Sequence, residues 1–196
     1  MQTTQYKPAS EDALLLIDVQ NDFLPGGNLA VPNGDQVIPV LNRYIQIFVR
    51  QKIPVIATRD WHPLNHCSFK DEGGIWPAHC IAETKGAAYA DALMLPDNAR
   101  IISKATRADK ESYSGMDGTD LSQYLINSGI TRVWLGGLAT DYCVLHTVTD
   151  LLDAGFNVLL LQDAIRAVNV TAGDGDKAVR KMTMAGAVPL TLKDIR

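Results

Sequence analysis

Cys143 is the residue of this chain best suited to act as a nucleophile. It closes the run Gly136-Gly137-Leu138-Ala139-Thr140-Asp141-Tyr142-Cys143. Two glycines after an apolar stretch permit a sharp turn, and the pattern predicts a helix starting near Thr140 or Asp141. A thiol in the first turn of a helix feels the positive end of the helix dipole. That lowers its pKa and favours thiolate. Free backbone N–H groups at the same place could hold an oxyanion. The ordinary alternative is a small buried hydrophobe facing a sheet. A thiol nucleophile also needs a base. His146 lies three residues on, although i,i+3 side chains both point outward and seldom align for proton transfer. Asp18 is the other candidate base. Lys104 beside it would hold the carboxylate ionised and stabilise negative charge on sulfur or oxygen.

A second group has the donor types of a metal centre. Asp60-Trp61-His62, followed by His79, supplies one oxygen and two nitrogen ligands. Such a set suits Zn²⁺ or Fe²⁺ with positions left open for water or substrate. His66 is a further donor in the same stretch. Taken singly, each of these histidines also reads as a polar loop residue.

The elements that must position these residues are short aliphatic runs at 13–19 (ALLLIDV), 54–59, 100–104, 132–136, 157–162 and 188–190. They are continuously apolar rather than alternating, as in parallel strands buried on both faces. Helical periods fall between them. In 35–51, Val37, Leu41, Ile45 and Phe48 share a face, with Pro39 in the first turn, where proline is tolerated. Further helices are predicted at 120–127, capped by Thr119 and ended by Gly129, and at 141–152 and 176–185. The alternation predicts an α/β fold: a three-layer α/β/α sandwich with a doubly wound, mainly parallel sheet of about six strands, in one domain over 1–196. In such sheets ligands bind beyond the carboxyl ends of the strands. Asp18, Asp60 and Lys104 end the first three strands, and Cys143 follows the fourth. Residues 60–98 break the rhythm, although 84–93 could hold a short helix. This stretch carries three of the four histidines, two of the three tryptophans and two of the three cysteines. A loop this long with that composition reads as an ordered excursion that builds a site.

Composition narrows the function. The chain has 196 residues, is 46% hydrophobic and carries a formal charge of -4. It has no basic run or Arg-rich stripe of the kind that binds nucleic acid. No apolar run approaches the ~20 residues of a membrane helix, and residues 1–11 lack the apolar centre of a signal peptide. Cys67, Cys80 and Cys143 are an odd set, which fits reduced thiols in the cytoplasm rather than a disulfide framework.

Five motifs in order extend these readings: LLLIDVQNDFLPGG at 14–27, RDWHP at 59–63, IWPAHC at 75–80, the strand end at Lys104, and GLATDYCV at 137–144. Together they resemble the nicotinamidases of the isochorismatase-like cysteine hydrolases over nearly the whole length. The resemblance implies an Asp18–Lys104–Cys143 triad and metal ligands Asp60, His62 and His79. It implies one divalent ion, zinc first, with iron or manganese as alternatives. Ser68, Asp71, Glu72 or a water is the expected further ligand. The resemblance also implies a flat aromatic pocket built by Phe23, Trp76 and Tyr113, and a cis peptide at Leu138–Ala139. The N–H groups of Ala139 and Cys143 would then form the oxyanion hole. The implied reaction is hydrolysis of nicotinamide, and of pyrazinamide, to the acid and ammonia, in a homo-oligomer (dimer or tetramer). Two alternatives stand beside it. One is another amide of the N-carbamoyl or ureido class, or isochorismatase-like chemistry. The other is a thiol redox sensor in which Cys67 or Cys80 resolves Cys143.

Overall fold

The computed structural model describes residues 5–195. Six strands form one sheet: β1 Asp12–Ile17, β2 Val55–Asp60, β3 Arg100–Lys104, β4 Arg132–Leu138, β5 Asn157–Arg166 and β6 Val188–Leu190. Their order is β3-β2-β1-β4-β5-β6. Every neighbouring pair is parallel. All six apolar runs became strands. β1 stops short of 19 because Asp18 leaves the strand with a φ of 48°. β5 runs four residues past 162 and returns to pair with β4 beyond an irregularity between Leu135 and Gly137.

The helices are α1 Val37–Arg50, α2 Leu121–Asn127, α3 Leu145–Asp153 and α4 Asp174–Met184. α1 buries Val37, Ile38, Leu41, Tyr44, Ile45 and Phe48, the helical stripe legible in sequence. Alternate β1 residues divide the core. Leu14 and Leu16 pack with α1 and with the returning excursion at Cys80, Ala87, Ala90 and Leu93. Ala13, Leu15 and Ile17 pack with α2, α3 and α4 through Leu121, Val148 and Met182. The result is three layers, with the excursion sharing one layer with α1. Right-handed crossovers explain this division, because the connection between β2 and β3 must fall on the same face as α1.

One expected helix is absent. Residues 84–93 form turns, since their backbone pairs with the segment after β1 rather than with itself. Asn21 N donates to Ala88 O, Asp22 N to Gly86 O and Ala90 N to Val19 O. The helix expected from 141 starts instead as a wide, π-type turn over Thr140–Val144, and α3 follows. Thr119, expected to cap α2, stands one residue before the actual N-cap, Asp120, which makes no side-chain cap bond; Thr119 Oγ1 accepts from Leu121 N at 3.3 Å. No helix among the described residues is long and apolar enough to cross a membrane.

The chain leaves β1 and β4 in opposite directions although they are neighbours. Their carboxyl ends therefore open a crevice at the switch point of the sheet. Gly137 holds this seam closed: a Cβ there would lie 2.1 Å from Ile17 O, and its φ is 128°.

Candidate active site

Asp18, Asp60 and Lys104 sit at the ends of three adjacent strands, and Cys143 reaches them from the turn after the fourth. All four are buried, Lys104 at 1% exposure. Lys104 Nζ is their hub. It donates to Asp60 Oδ1 at 2.5 Å, to Ser112 O at 3.2 Å and to Cys143 Sγ at 3.4 Å. Asp18 Oδ2 lies 3.1 Å from the same nitrogen, but out of line for a hydrogen bond. Asp18 Oδ1 accepts the Thr58 hydroxyl at 2.6 Å.

Burial sets the proton affinities. It raises the Asp18 carboxyl to about 6 against the pull of Lys104. It also pushes Asp60 up, but the charge and hydrogen bond of Lys104 together with His62 and His79 outweigh it and hold that carboxyl below its ordinary value. Burial would lower Lys104, yet Asp18 and Asp60 keep it well above its usual range. The Cys143 thiol goes against the sequence expectation. Burial pushes it well above the ordinary thiol range, so the resting side chain is S–H rather than thiolate. The helix-dipole argument failed because Cys143 is the fourth residue of the Thr140–Val144 turn and desolvated. A neutral buried thiol must therefore lose its proton to a partner as it reacts.

His146 is not that partner. It is exposed, stacks on Tyr113 at 5.4 Å between ring centres, and makes no hydrogen bond to Cys143.

The excursion brings the metal-type donors together. Ligand atoms of Asp60, His62 and His79 all lie within 4.8 Å of one another. His62 is aligned with the returning chain, its N–H donating to Cys80 O at 3.0 Å. The second nitrogen of each ring is fixed by a backbone carbonyl: His62 Nδ1 by His79 O at 2.9 Å and His79 Nδ1 by Pro77 O at 2.8 Å. Nε2 of each ring is left for a ligand. Burial lowers His62 to about 4 and lowers His79 as well, so both rings are neutral, the form that binds a metal. This donor set fits a divalent ion. Asp60 joins it to the Lys104 group, with Oδ1 4.0 Å from His62 Nε2.

The other expected donors are placed differently. Ser68 Oγ is 2.7 Å from His66 Nδ1, and His66 Nε2 meets Lys110 O at 3.1 Å. Asp71 and Glu72 stand exposed on the short turn Lys70–Glu72.

Cys143 and the metal-type donors face one cleft, with about 420 Å³ between its walls, mouth included, while Asp18 and Lys104 stand behind its lining. Phe23, Trp76, Tyr113, Ala139 and Cys143 line it, as do Asp60, His62 and His79. Trp76 Nε1 donates to Tyr113 Oη at 3.0 Å, and Trp76 meets Tyr142 edge-on at 5.0 Å. The Leu138–Ala139 peptide is cis.

Sequence reasoning missed several residues. Glu111, Tyr142, Leu29 and Val168 also line the cleft. Gln20 clamps Asp60 by donating to its O and accepting from its N, both at 2.8 Å. Asp22 accepts from Cys80 N at 2.7 Å and Asn28 N at 3.2 Å, which anchors the chain beside His79. Tyr142, Gln20 and Asp22 lie within the quoted motifs, where position beside Cys143 or Asp18 was the available signal. Glu111 had none.

The isochorismatase domain family matches residues 12–194. A nicotinamidase of Escherichia coli is 37% identical, over 93% of this chain and 95% of its own. The fold superposes on a pyrazinamidase of Pyrococcus horikoshii in complex with zinc, with a TM-score of 0.89, 46% identity and coverage of 93% of this chain and 99% of the other. It also superposes on PnC1 from L. infantum in complex with nicotinate, with a TM-score of 0.87, 33% identity and coverage of 95% and 96%.

Proposed function

The chain belongs to the isochorismatase family, and from that premise we propose that it is a nicotinamidase, hydrolysing nicotinamide to nicotinate and ammonia through a thioester on Cys143. One observation carries the reading. A buried Asp–Lys–Cys group and an Asp–His–His donor set share Asp60's strand end and open into the same aromatic-walled cleft. The three donors suit zinc, the ion named for the Pyrococcus horikoshii relative. A divalent ion held by Asp60, His62 and His79 would anchor the ring nitrogen of a pyridine or pyrazine amide as a Lewis acid.

The chain's own groups account for the rest. Phe23 and Trp76 hold the flat ring, and Tyr113 braces Trp76. Asp18 takes the Cys143 proton as Sγ attacks the carboxamide carbon. Lys104, 3.4 Å from Sγ, stabilises the negative charge as it forms. The N–H groups of Ala139 and Cys143 receive the oxyanion. Asp18 returns its proton to the departing nitrogen, and ammonia leaves. A water, deprotonated by the same carboxylate, then cleaves the thioester, freeing nicotinate and the thiol. Pyrazinamide, which also presents a ring nitrogen and a carboxamide, fits the same cleft. Cytoplasmic location belongs to this reading, supported by three free cysteines, and assembly into a dimer or tetramer is testable by light scattering.

The experiment is ammonia release from nicotinamide by the zinc-loaded protein and its Cys143→Ala variant. Release by the wild type and none by the variant is expected. Equal release by both would sink the mechanism, and no release by either would sink the substrate.

A further inference from the structure

We propose that Thr58 is a positioning residue for the base: it occupies Asp18 Oδ1 and so leaves Oδ2 as the oxygen of Asp18 that takes the Cys143 proton. This rests on the thiol-amidase reading above. The argument is a count of protons. An ammonium has three N–H donors. Those of Lys104 go to Asp60 Oδ1, Ser112 O and Cys143 Sγ. None is left for Asp18 Oδ2, which is why that oxygen has no aligned hydrogen bond although Nζ lies 3.1 Å away. Buried carboxylate oxygens are rarely left so. Cys143 is the neighbour close enough to use it: its sulfur lies within 4.8 Å of a carboxylate oxygen of Asp18.

The other oxygen is closed off. Thr58 Oγ1 donates to Asp18 Oδ1 at 2.6 Å and accepts from Asp18 N at 3.3 Å. The N–H can only donate, so the single hydroxyl proton must point at Oδ1. One side chain thus pins both the backbone and the carboxylate of a residue held at a φ of 48°. Without it the carboxylate could turn and present either oxygen. Thr58 is fully buried within β2 and lines neither the cleft nor the metal-type set. It acts through Asp18 alone.

The test compares wild type, Thr58→Val and Thr58→Ser, each loaded with zinc and assayed for zinc content. Valine keeps the shape and removes both hydrogen bonds, whereas serine keeps the hydroxyl and loses only the methyl. In Thr58→Val, kcat on nicotinamide is expected to fall ~10- to 100-fold, within the range of misaligned general-base catalysis. KM and zinc content should hold. Thr58→Ser should recover most of kcat. A substrate-free readout accompanies this: the infrared S–H stretch of Cys143, isolated as the difference from Cys143→Ala. It should move toward the free-thiol frequency in Thr58→Val and return in Thr58→Ser. An unchanged stretch and kcat in Thr58→Val, or equal losses in both variants, would overturn the assignment. Wild type inactive on nicotinamide refutes the substrate, while the S–H stretch still decides the proton count.

Discussion

Asp18 and Lys104 show how burial turns ordinary side chains into reactive ones. Burial raises Asp18 to about 6, above the ~3.9 of an unfolded chain. The base must be ionised to work, so kcat/KM should climb as pH rises through about 6 and level off above it. A profile already flat at pH 5 would contradict this. Stability takes the opposite sign. The folded carboxyl holds its proton more tightly than the unfolded one. Its contribution is therefore full below about pH 4 and lost as pH rises through about 6. Lys104 neutralises two buried carboxylates, at 3.1 Å and 2.5 Å. Lys104→Met would leave both unpaired, and removing one partner of a buried ion pair costs about 3–5 kcal/mol. Urea denaturation of the chelated variant should show a loss of that order together with lost activity. A loss under ~1 kcal/mol would mean that the carboxylates find other partners.

At the scale of elements, the β1–β4 seam would carry the proposed chemistry. Asp18 and Cys143 meet only because these parallel strands lie side by side and diverge at their ends. Gly137 permits that approach, and any side chain there would strike the Ile17 backbone. Gly137→Ala should therefore destabilise the fold by about 2 kcal/mol or more, combining a positive φ with overpacking. It should lower kcat more than it raises KM, because Phe23 and Trp76, the proposed walls for the ring, come from other segments. Denaturation and steady-state kinetics together check both halves. Asp141 ties the same seam to the segment that follows β5, accepting from Val168 N at 2.9 Å and Asn169 N at 2.8 Å. These bonds tie the turn that carries Cys143 to Val168, which lines the cleft.

At the scale of the whole molecule, the proposed function has residues 60–98 couple metal binding to folding. The excursion packs its apolar side chains into the α1 face of the core and places His62 beside the returning chain at His79. An ion bound by the folded donor set stabilises by mass action, roughly 4 kcal/mol at a thousandfold excess over Kd. Chelation should lower Tm, and zinc should restore it. An unchanged Tm would show that the donor set holds no ion. Asp22 anchors Cys80, next to His79, through its backbone N–H. Asp22→Ala should weaken zinc affinity by about 10-fold, as loss of outer support for a metal ligand does. A competition titration with a chromophoric chelator measures this independently of activity.

Much of this architecture is written in local patterns. Continuous apolar runs announced six strands, of which the central ones are buried on both faces while the edge strands β3 and β6 keep exposed positions, and the stripe Val37, Leu41, Ile45, Phe48 announced α1. Hydrophobic periodicity reports burial directly, so these elements survive without tertiary knowledge. The rule that ligands bind beyond the carboxyl ends of strands then put Asp18, Asp60, Lys104 and Cys143 on one edge. Tertiary structure decided what those residues are. The thiol is neutral because packing removed its water, which outweighs the helix dipole that sequence position promised. Residues 84–93 are turns because their hydrogen bonds go to 19–22, a pairing across some seventy residues that no local period encodes. Thr58, Gln20 and Asp22 read in sequence as ordinary polar residues. They became parts of the site only when folding carried their hydrogen bonds to partners forty or more positions away, where low dielectric makes each unsatisfied atom count.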